Sequence, residues 1–340
     1  MEGKVKILVA FGTRPEYIKL SPLMKAFSNN DIPYITFFTG QHLDLLPPGI
    51  QDSVSHRLEI KDAQNRLDSI VGSVMCGSPA WDDPELTHVI IQGDTTSAFA
   101  VALAAFHRKI KIIHLEAGLR TDNKYDPYPE EFNRQAIARL TDIHLCPTLG
   151  AAENLRQEKV GGSIHVVGNT VLDNLRDVDS FYGNQIVVTM HRRENHHWLD
   201  KWFSEIDILA QQYPHYEFVL PLHPNPNVQK HKNILKHAKT VPPVEYSDFI
   251  TLLARCRLII TDSGGIQEEA SFFRKKCIVC RKTTERSEGV GKFAFLCPTP
   301  QHLSSLFREI DLDHTAIGEC PYGDGHASEK ILNILNQEGF

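Results

Sequence analysis

No apolar run in this chain of 340 residues is long enough to cross a bilayer: residues 7–11 and 186–190 are strand-sized, far short of the ~20 residues a span needs. No membrane partner is expected. Nor is there a basic block, and the formal net charge of −6 is spread along the chain, which argues against nucleic acid or an anionic lipid surface as the main partner. Local cations must then serve smaller anions. The opening Met1-Glu2-Gly3-Lys4-Val5-Lys6 runs straight into a strand, without the apolar segment and small-residue cleavage site of a secretory signal, so a cytoplasmic location is expected. The seven cysteines are odd in number and irregular in spacing, and Cys146, Cys277 and Cys280 lie in apolar runs where a small hydrophobe fits. Reduced thiols follow. Cys277 and Cys280 form a lone C-x-x-C, yet strand positions three apart face opposite ways and a structural zinc site wants four ligands. Despite 17 histidines, no H-x-x-x-H or H-E-x-x-H pair falls on a helix, and no metal is expected. Two nucleotide signatures are missing as well. The glycine turn at Gly12 lacks the G-K-[ST] ending of a P-loop, and Gly289-Val290-Gly291 lacks both the third glycine and the strand-to-helix setting of a dinucleotide fingerprint. ATP hydrolysis and nicotinamide chemistry are thereby disfavoured, and no cofactor is expected.

What is present is an ordinary globular composition, with 41% hydrophobic and 23% charged residues, in a chain too long for one growing core. Two domains are expected. Short β-branched or apolar runs at residues 4–10, 33–39, 88–92, 110–115, 143–146 and 164–167 read as strands separated by helical patterns, such as 98–106 capped by Thr95-Thr96. That rhythm implies α/β architecture, a parallel sheet with helices on both faces. After Gly168-Asn169-Thr170 a second series begins: strands at 185–190, 217–222, 258–261 and 277–280, with helices at 198–212, 249–255 and 266–273. Residues 1–168 and 169–325 are therefore expected to form two doubly wound, Rossmann-like domains whose strand ends face each other across a cleft, where open α/β sheets bind ligands. A helix at 328–337 is expected to pack back on the first domain.

The stretch Thr261-Asp262-Ser263-Gly264-Gly265-Ile266-Gln267-Glu268-Glu269 joins a strand end, two glycines and a helix start. Glycines let the backbone approach an anion, and the free amides of the helix start point at it, so Ser263, Gly264 and Gly265 are candidates to hold a phosphate. Glu269, a turn further in, is placed to accept ribose hydroxyls; a plain Ser-capped turn is the alternative. A second glycine turn, Phe11-Gly12-Thr13-Arg14-Pro15-Glu16, starts a helix with proline near its first position and should aim Arg14 and Lys19 at the ligand. Three acids follow strand ends or the next turn: Asp94 in QGDTTS, Glu116 in HLEAGLRT and Glu130 in YPEEFNR. Singly, Asp94 reads as a helix cap and Glu130 as a helix start. Together they supply the positioned acids and bases that moving a proton at a sugar carbon requires. His191, in HRREN, and His223, in HPNPN, close two strands of the second domain in loops that suit anions, and Arg286 in TTER adds a further cation.

In this order, GTRPEYIKLSPL, TGQH, QGDTTS, HLEAGLRT, YPEEFNR, VGNTVLD, TMHRREN, LHPNPNV, TDSGGIQEE and TTER resemble the non-hydrolysing UDP-N-acetylglucosamine 2-epimerases over nearly the whole chain. The resemblance implies the two-domain GT-B arrangement, a homodimer, and no metal or nicotinamide. It implies that Asp94, Glu116 and Glu130 are the acid/base carboxylates, with His191 also in the active site. It places Arg14, Lys19 and Arg134 around the sugar and diphosphate, Ser263–Gly265 on the diphosphate and Glu269 on the ribose. Arg286 matches the T-T-E-R block, although Ser287 stands where the family usually has proline.

The implied chemistry eliminates UDP across C1–C2 to 2-acetamidoglucal and adds it back with protonation on the other face. In many bacterial members a longer segment after the Q-H block serves a second, activating UDP-N-acetylglucosamine; here Gln41-His42 is followed by Leu43-Asp44-Leu45-Leu46-Pro47-Pro48, and such activation is not expected. The residues alone leave other readings open: an epimerase of a 2,3-diacetamido uronic acid or 6-deoxy hexosamine, a hydrolysing relative releasing N-acetylmannosamine, or a GT-B glycosyltransferase.

Overall fold

The computed structural model describes residues 6–41, 54–60, 64–77, 79–121, 123–316 and 318–340. His42, the residues 43–48 after it, and the first two residues of the strand expected at 4–10 lie outside these.

Apolar runs buried on both faces nucleate two all-parallel sheets, as expected where helices cover both sides. The first contains β1 (Ile7–Phe11), β2 (Tyr34–Phe38), β3 (His56–Arg57), β4 (His88–Gln92), β5 (Lys111–Leu115), β6 (Ile143–Cys146) and β7 (Ser163–Val166), in the order β3-β2-β1-β4-β5-β6-β7. Side-chain alternation divides its core in two. Ile7, Val9 and Phe11 join Leu20, Leu23 and Phe27 on one face, while Leu8 and Ala10 join Val89, Ile91 and Val101 on the other. The helices of this unit are α1 (Arg14–Asn29), α2 (Arg66–Gly77), α3 (Thr96–His107), α4 (Glu130–Leu140) and α5 (Leu149–Gln157).

The second sheet contains β8 (Gln185–Thr189), β9 (Glu217–Pro221), β10 (Lys239–Val241), β11 (Leu258–Thr261), β12 (Cys277–Val279) and β13 (Ala294–Leu296), in the order β10-β9-β8-β11-β12-β13. With it run α6 (Leu199–Gln212), α7 (Tyr246–Arg255), α8 (Gly264–Phe272) and α9 (Leu303–Leu312). Its core gathers Ile186, Val188, Trp202, Phe203, Phe218 and Phe307. Each sheet reverses its winding once, between β1 and β4 in the first and between β8 and β11 in the second. In such sheets ligands settle beyond the carboxyl ends of the strands flanking that point.

The chain divides into two compact units, Met1–Asn174 with Gly323–Phe340, and Leu175–Tyr322. The turn Thr170–Leu175 is tied into the first: the Thr170 hydroxyl donates to the Lys19 carbonyl, and Asn174 Nδ2 donates to the Ile18 carbonyl at 3.2 Å. The last helix, α10 (Ala327–Gln337), also belongs there, with Ile331 and Leu335 completing the core over α1. Its first amides have no capping side chain of their own. Asp173 supplies one from far back in the sequence, accepting from Ala327 N at 2.9 Å and Ser328 N at 2.8 Å. Beyond it, the Phe340 ring lies 4.3 Å from that of His88.

Three strands went unread in the sequence, β3, β10 and β13, and all are edge strands two or three residues long. Helix α8 begins at Gly264, two residues before the expected start, because both glycines belong to its first turn. Among the described residues no helix is long and apolar enough to cross a membrane, and the cysteines are all free, with burial pushing the thiols of Cys146 and Cys256 up to about 12.

Candidate active site

At the carboxyl end of β1 the chain turns through Gly12 into α1. A Cβ at Gly12 would lie 2.4 Å from both Ser97 Oγ and Thr39 Oγ1, so only glycine lets the turn pass this close. Thr13 and Glu16 form a reciprocal cap: Glu16 N donates to Thr13 Oγ1 at 3.4 Å, while Glu16 Oε2 accepts from Gly12 N at 2.9 Å and the Thr13 hydroxyl at 2.8 Å. The other oxygen, Oε1, accepts from the Thr95 hydroxyl at 2.7 Å, tying the ends of β1 and β4 together. Burial pushes the Glu16 carboxyl above its ordinary range, against the pull of these hydrogen bonds.

Asp94 follows β4 but does not cap α3. That task falls to Thr95, whose Oγ1 accepts from Ala98 N at 3.0 Å. The Asp94 carboxylate instead takes a charge-assisted hydrogen bond from Arg134 on α4, and its carbonyl accepts from Asn133 Nδ2 at 2.9 Å. Glu116 follows β5 with φ of +64°, a left-handed conformation that costs a non-glycine residue about 1–3 kcal/mol and concentrates at functional sites. Lys19 of α1 and Gln92 of β4 both donate to its Oε2. Glu130 is the first residue of α4, half-buried, one helical turn before Arg134 and so on the same helix face. The register Gln92↔Leu115 makes the ends of β4 and β5 neighbours. Asp94, Glu116 and Glu130, with Lys19 and Arg134, therefore gather at one end of the first sheet. Arg14 opens α1 at the same end, half-buried.

The supports of this cluster escaped the sequence reading. Glu131, fully buried, accepts from Arg134 Nε at 2.9 Å and from the Thr121 amide at 3.2 Å, which aims Arg134 at Asp94. The doubled acid in Y-P-E-E was the available signal. Beneath them His114 of β5 lies 2.7 Å through Nε2 from the Gly93 carbonyl, in the turn that carries Asp94. Burial pushes its imidazole down from 6.5 to about 3, so Nε2 carries hydrogen and donates in the neutral tautomer.

In the second unit the ends of β8, β9 and β11 carry His191, His223 and Asp262–Gly265. The imidazoles of His191 and His223 stack 5.3 Å apart at 16°, and burial lowers the pKa of both. Asp262, fully buried, accepts from the amides of His191 and Arg192 and from Asn195 Nδ2, a convergence the sequence did not reveal. Ser263 occupies the N-cap of α8, but its side chain makes no capping bond, leaving the first-turn amides for an anion. A Cβ at Gly264 would come within 2.8 Å of Glu285 Oε1 and 2.9 Å of Arg286 Nη1, whereas one at Gly265 would meet nothing within 4 Å.

Arg286 is buried against the start of α8, donating from Nε to Glu268 at 2.8 Å and from Nη1 to Glu285. Two carboxylates thus hold it, more than a solvated turn would provide. Glu269 accepts from the Tyr246 hydroxyl of α7 at 3.1 Å. Among the described residues no cluster of three or more His, Cys, Asp or Glu is placed to hold a metal ion.

A family model described as UDP-N-acetylglucosamine 2-epimerase matches residues 25–336. The Campylobacter jejuni UDP-N-acetylglucosamine 2-epimerase is 40% identical, over 97% of each chain, and that of Bacillus subtilis is 35% identical over 98% of this chain and 95% of its own. Among solved structures, the Neisseria meningitidis UDP-GlcNAc 2-epimerase bound to UDP-GlcNAc superposes with a TM-score of 0.87 at 33% identity, covering 98% of this chain and 100% of that one.

Proposed function

Because the chain belongs to the UDP-N-acetylglucosamine 2-epimerase family, we propose that it interconverts UDP-N-acetylglucosamine and UDP-N-acetylmannosamine, without net hydrolysis, by eliminating and re-adding UDP. The C2 hydrogen of the sugar has no neighbouring carbonyl to acidify it, so direct removal and return would be hard. Leaving-group departure supplies the driving force instead. A carboxylate takes the C2 proton while the C1–O bond breaks, and its electron pair leaves with UDP; a double bond remains between C1 and C2. In the return step a UDP oxygen attacks C1 and an acid on the opposite face delivers a proton to C2. Electrons and protons balance with nothing consumed.

Asp94, Glu116 and Glu130 divide the two proton transfers. The single observation carrying this reading is that Lys19 holds Glu116, and Arg134 holds Asp94, at the end of the first sheet where Glu130 opens α4. Arg14, Lys19 and Arg134 offset the growing charge on the diphosphate, and the amides of Ser263, Gly264 and Gly265 receive it at the start of α8, which is stabilisation by preorganised charge. His191 and His223 stand beside that loop, Glu269 accepts from ribose hydroxyls and Arg286 backs the diphosphate turn.

Incubation with UDP-N-acetylglucosamine in deuterated water, followed by NMR, tests the reading. Deuterium should appear at C2 of both nucleotide sugars, with 2-acetamidoglucal and UDP as trace products. Absence of label at C2 removes the proton-transfer mechanism. Free N-acetylmannosamine as the main product would assign the chain to hydrolysis instead.

A further inference from the structure

Asp262 stands immediately before the phosphate-binding glycines, with 0% of its surface exposed, yet the proposed chemistry gives it no part. Its Oδ2 accepts from the His191 amide at 3.0 Å, the Arg192 amide at 2.9 Å and Asn195 Nδ2 at 3.2 Å. Its Oδ1 accepts from the His191 amide at 3.2 Å and lies 3.7 Å from His191 Nδ1. One oxygen is therefore spent on three donors, while the other shares the His191 amide and faces an imidazole. The amide oxygen of asparagine would satisfy the same three donors, so the hydrogen-bond pattern does not by itself demand a buried anion, whose desolvation is costly.

The charge acts on His191. We propose that Asp262 is a positioning residue for the epimerisation, fixing the His191 ring beside the diphosphate loop with Nδ1–H toward the carboxylate and holding that ring ready to carry a proton. This rests on reading His191 as part of the active site. The groups facing His191 come from three strand ends: Arg192 and His196 from its own loop, His223 after β9, and Asp262 after β11. Burial disfavours the imidazolium, and Arg192, His223 and His196 act in the same direction; among the described residues acting on it, Asp262 pushes the other way. Asn195 keeps the arrangement rigid, since its Nδ2 also donates to the Cys280 carbonyl at 2.9 Å.

The test begins in the unsubstituted protein, where the ring ¹⁵N shifts of His191, identified by their loss in His191→Gln, report its tautomer. Nδ1–H is expected in the neutral ring, and an Nε2–H tautomer would overturn the proposal whether or not any variant folds. In Asp262→Asn the His191 pKa should drop by roughly half a unit or more. Its kcat with UDP-N-acetylglucosamine should drop about tenfold or more, with KM within about threefold. In the His191→Gln background the same substitution should cost little further kcat, the non-additivity expected of groups acting as a unit. A folded Asp262→Asn protein with unchanged His191 titration refutes the proposal. Failure of the unsubstituted protein to epimerise would instead refute the functional reading, which the tautomer and titration do not depend on.

Discussion

The two sheets end in different chemistry. At the carboxyl end of the first, acids are held by cations: Glu116 by Lys19, Asp94 by Arg134, and Arg134 in turn by Glu131. At the same end of the second, the strands give way to stacked histidines, a glycine turn and open helix amides, with the nearest acids buried as supports for other groups. One end gathers carboxylates paired with cations; the other presents imidazoles beside open helix amides. The difference teaches that the doubly wound pattern supplies only the place for a site, and the residues just past each strand decide its task.

If that division holds, substitutions in the carboxylate cluster and in the α8 glycine turn should fail in different kinetic constants. The largest effect belongs to Asp94→Asn, which keeps shape but removes the carboxylate: kcat for UDP-N-acetylglucosamine should fall about 10²- to 10⁴-fold with little change in melting temperature. Retained turnover would take Asp94 out of the proton transfer. Gly264→Ala probes the second end, where the new Cβ would press on Glu285 and Arg286. UDP affinity measured by calorimetry should weaken about tenfold while kcat at saturation stays within about threefold. A Gly264→Ala protein losing kcat alone would erase the distinction between the carboxylate cluster and the glycine turn.

Histidines sharpen the comparison through pH. With His114 pushed from 6.5 to about 3 in the folded state, the unfolded chain binds the extra proton between those values. Stability should therefore fall as pH drops below about 6.5, by up to about 1.4 kcal/mol per pH unit from this group. Urea unfolding at pH 4, 5, 6 and 7 should show a shallower dependence in His114→Gln, which removes the titrating ring and keeps an amide donor for the Gly93 carbonyl. The smallest effect is expected far from either strand end. Asp173→Ala uncaps α10, and the urea midpoint should report a loss of about 1 kcal/mol with kcat unchanged.

Much of the scaffold was legible in the sequence because central strands of parallel sheets are apolar on both faces: residues 88–92, 143–146 and 258–261 read as strands and form β4, β6 and β11 with the same bounds. The edge strands β3 and β10 carry no such signal; His56-Arg57 and Lys239-Thr240-Val241 are short and partly polar, and pairing with a neighbour defines them, while β13 is apolar but only three residues long. The candidate site divides the same way. Positions next to a strand end or helix start, such as Asp94 and Gly264, can be read from local pattern. The partners that orient them cannot. Arg134 reaches Asp94 from 40 residues away, and Asp262 binds the loop after β8 from 70 or 71 residues away. Thr95 caps α3 as the sequence reading of Thr95-Thr96 had it, accepting from the Ala98 amide, and the Asp94 carboxylate turns to Arg134 instead.

The first unit is closed by residues 323–340, which reach it only after the whole of the second has been passed. During synthesis the ribosome must therefore release the material of the second unit while α1 still lacks its cover, with Leu20 and Leu23 waiting for Ile331 and Leu335. A nascent chain stalled before α10 would carry a finished second unit behind an unsealed first, and removing Ile331 and Leu335 would injure the unit built from residues that were made long before them.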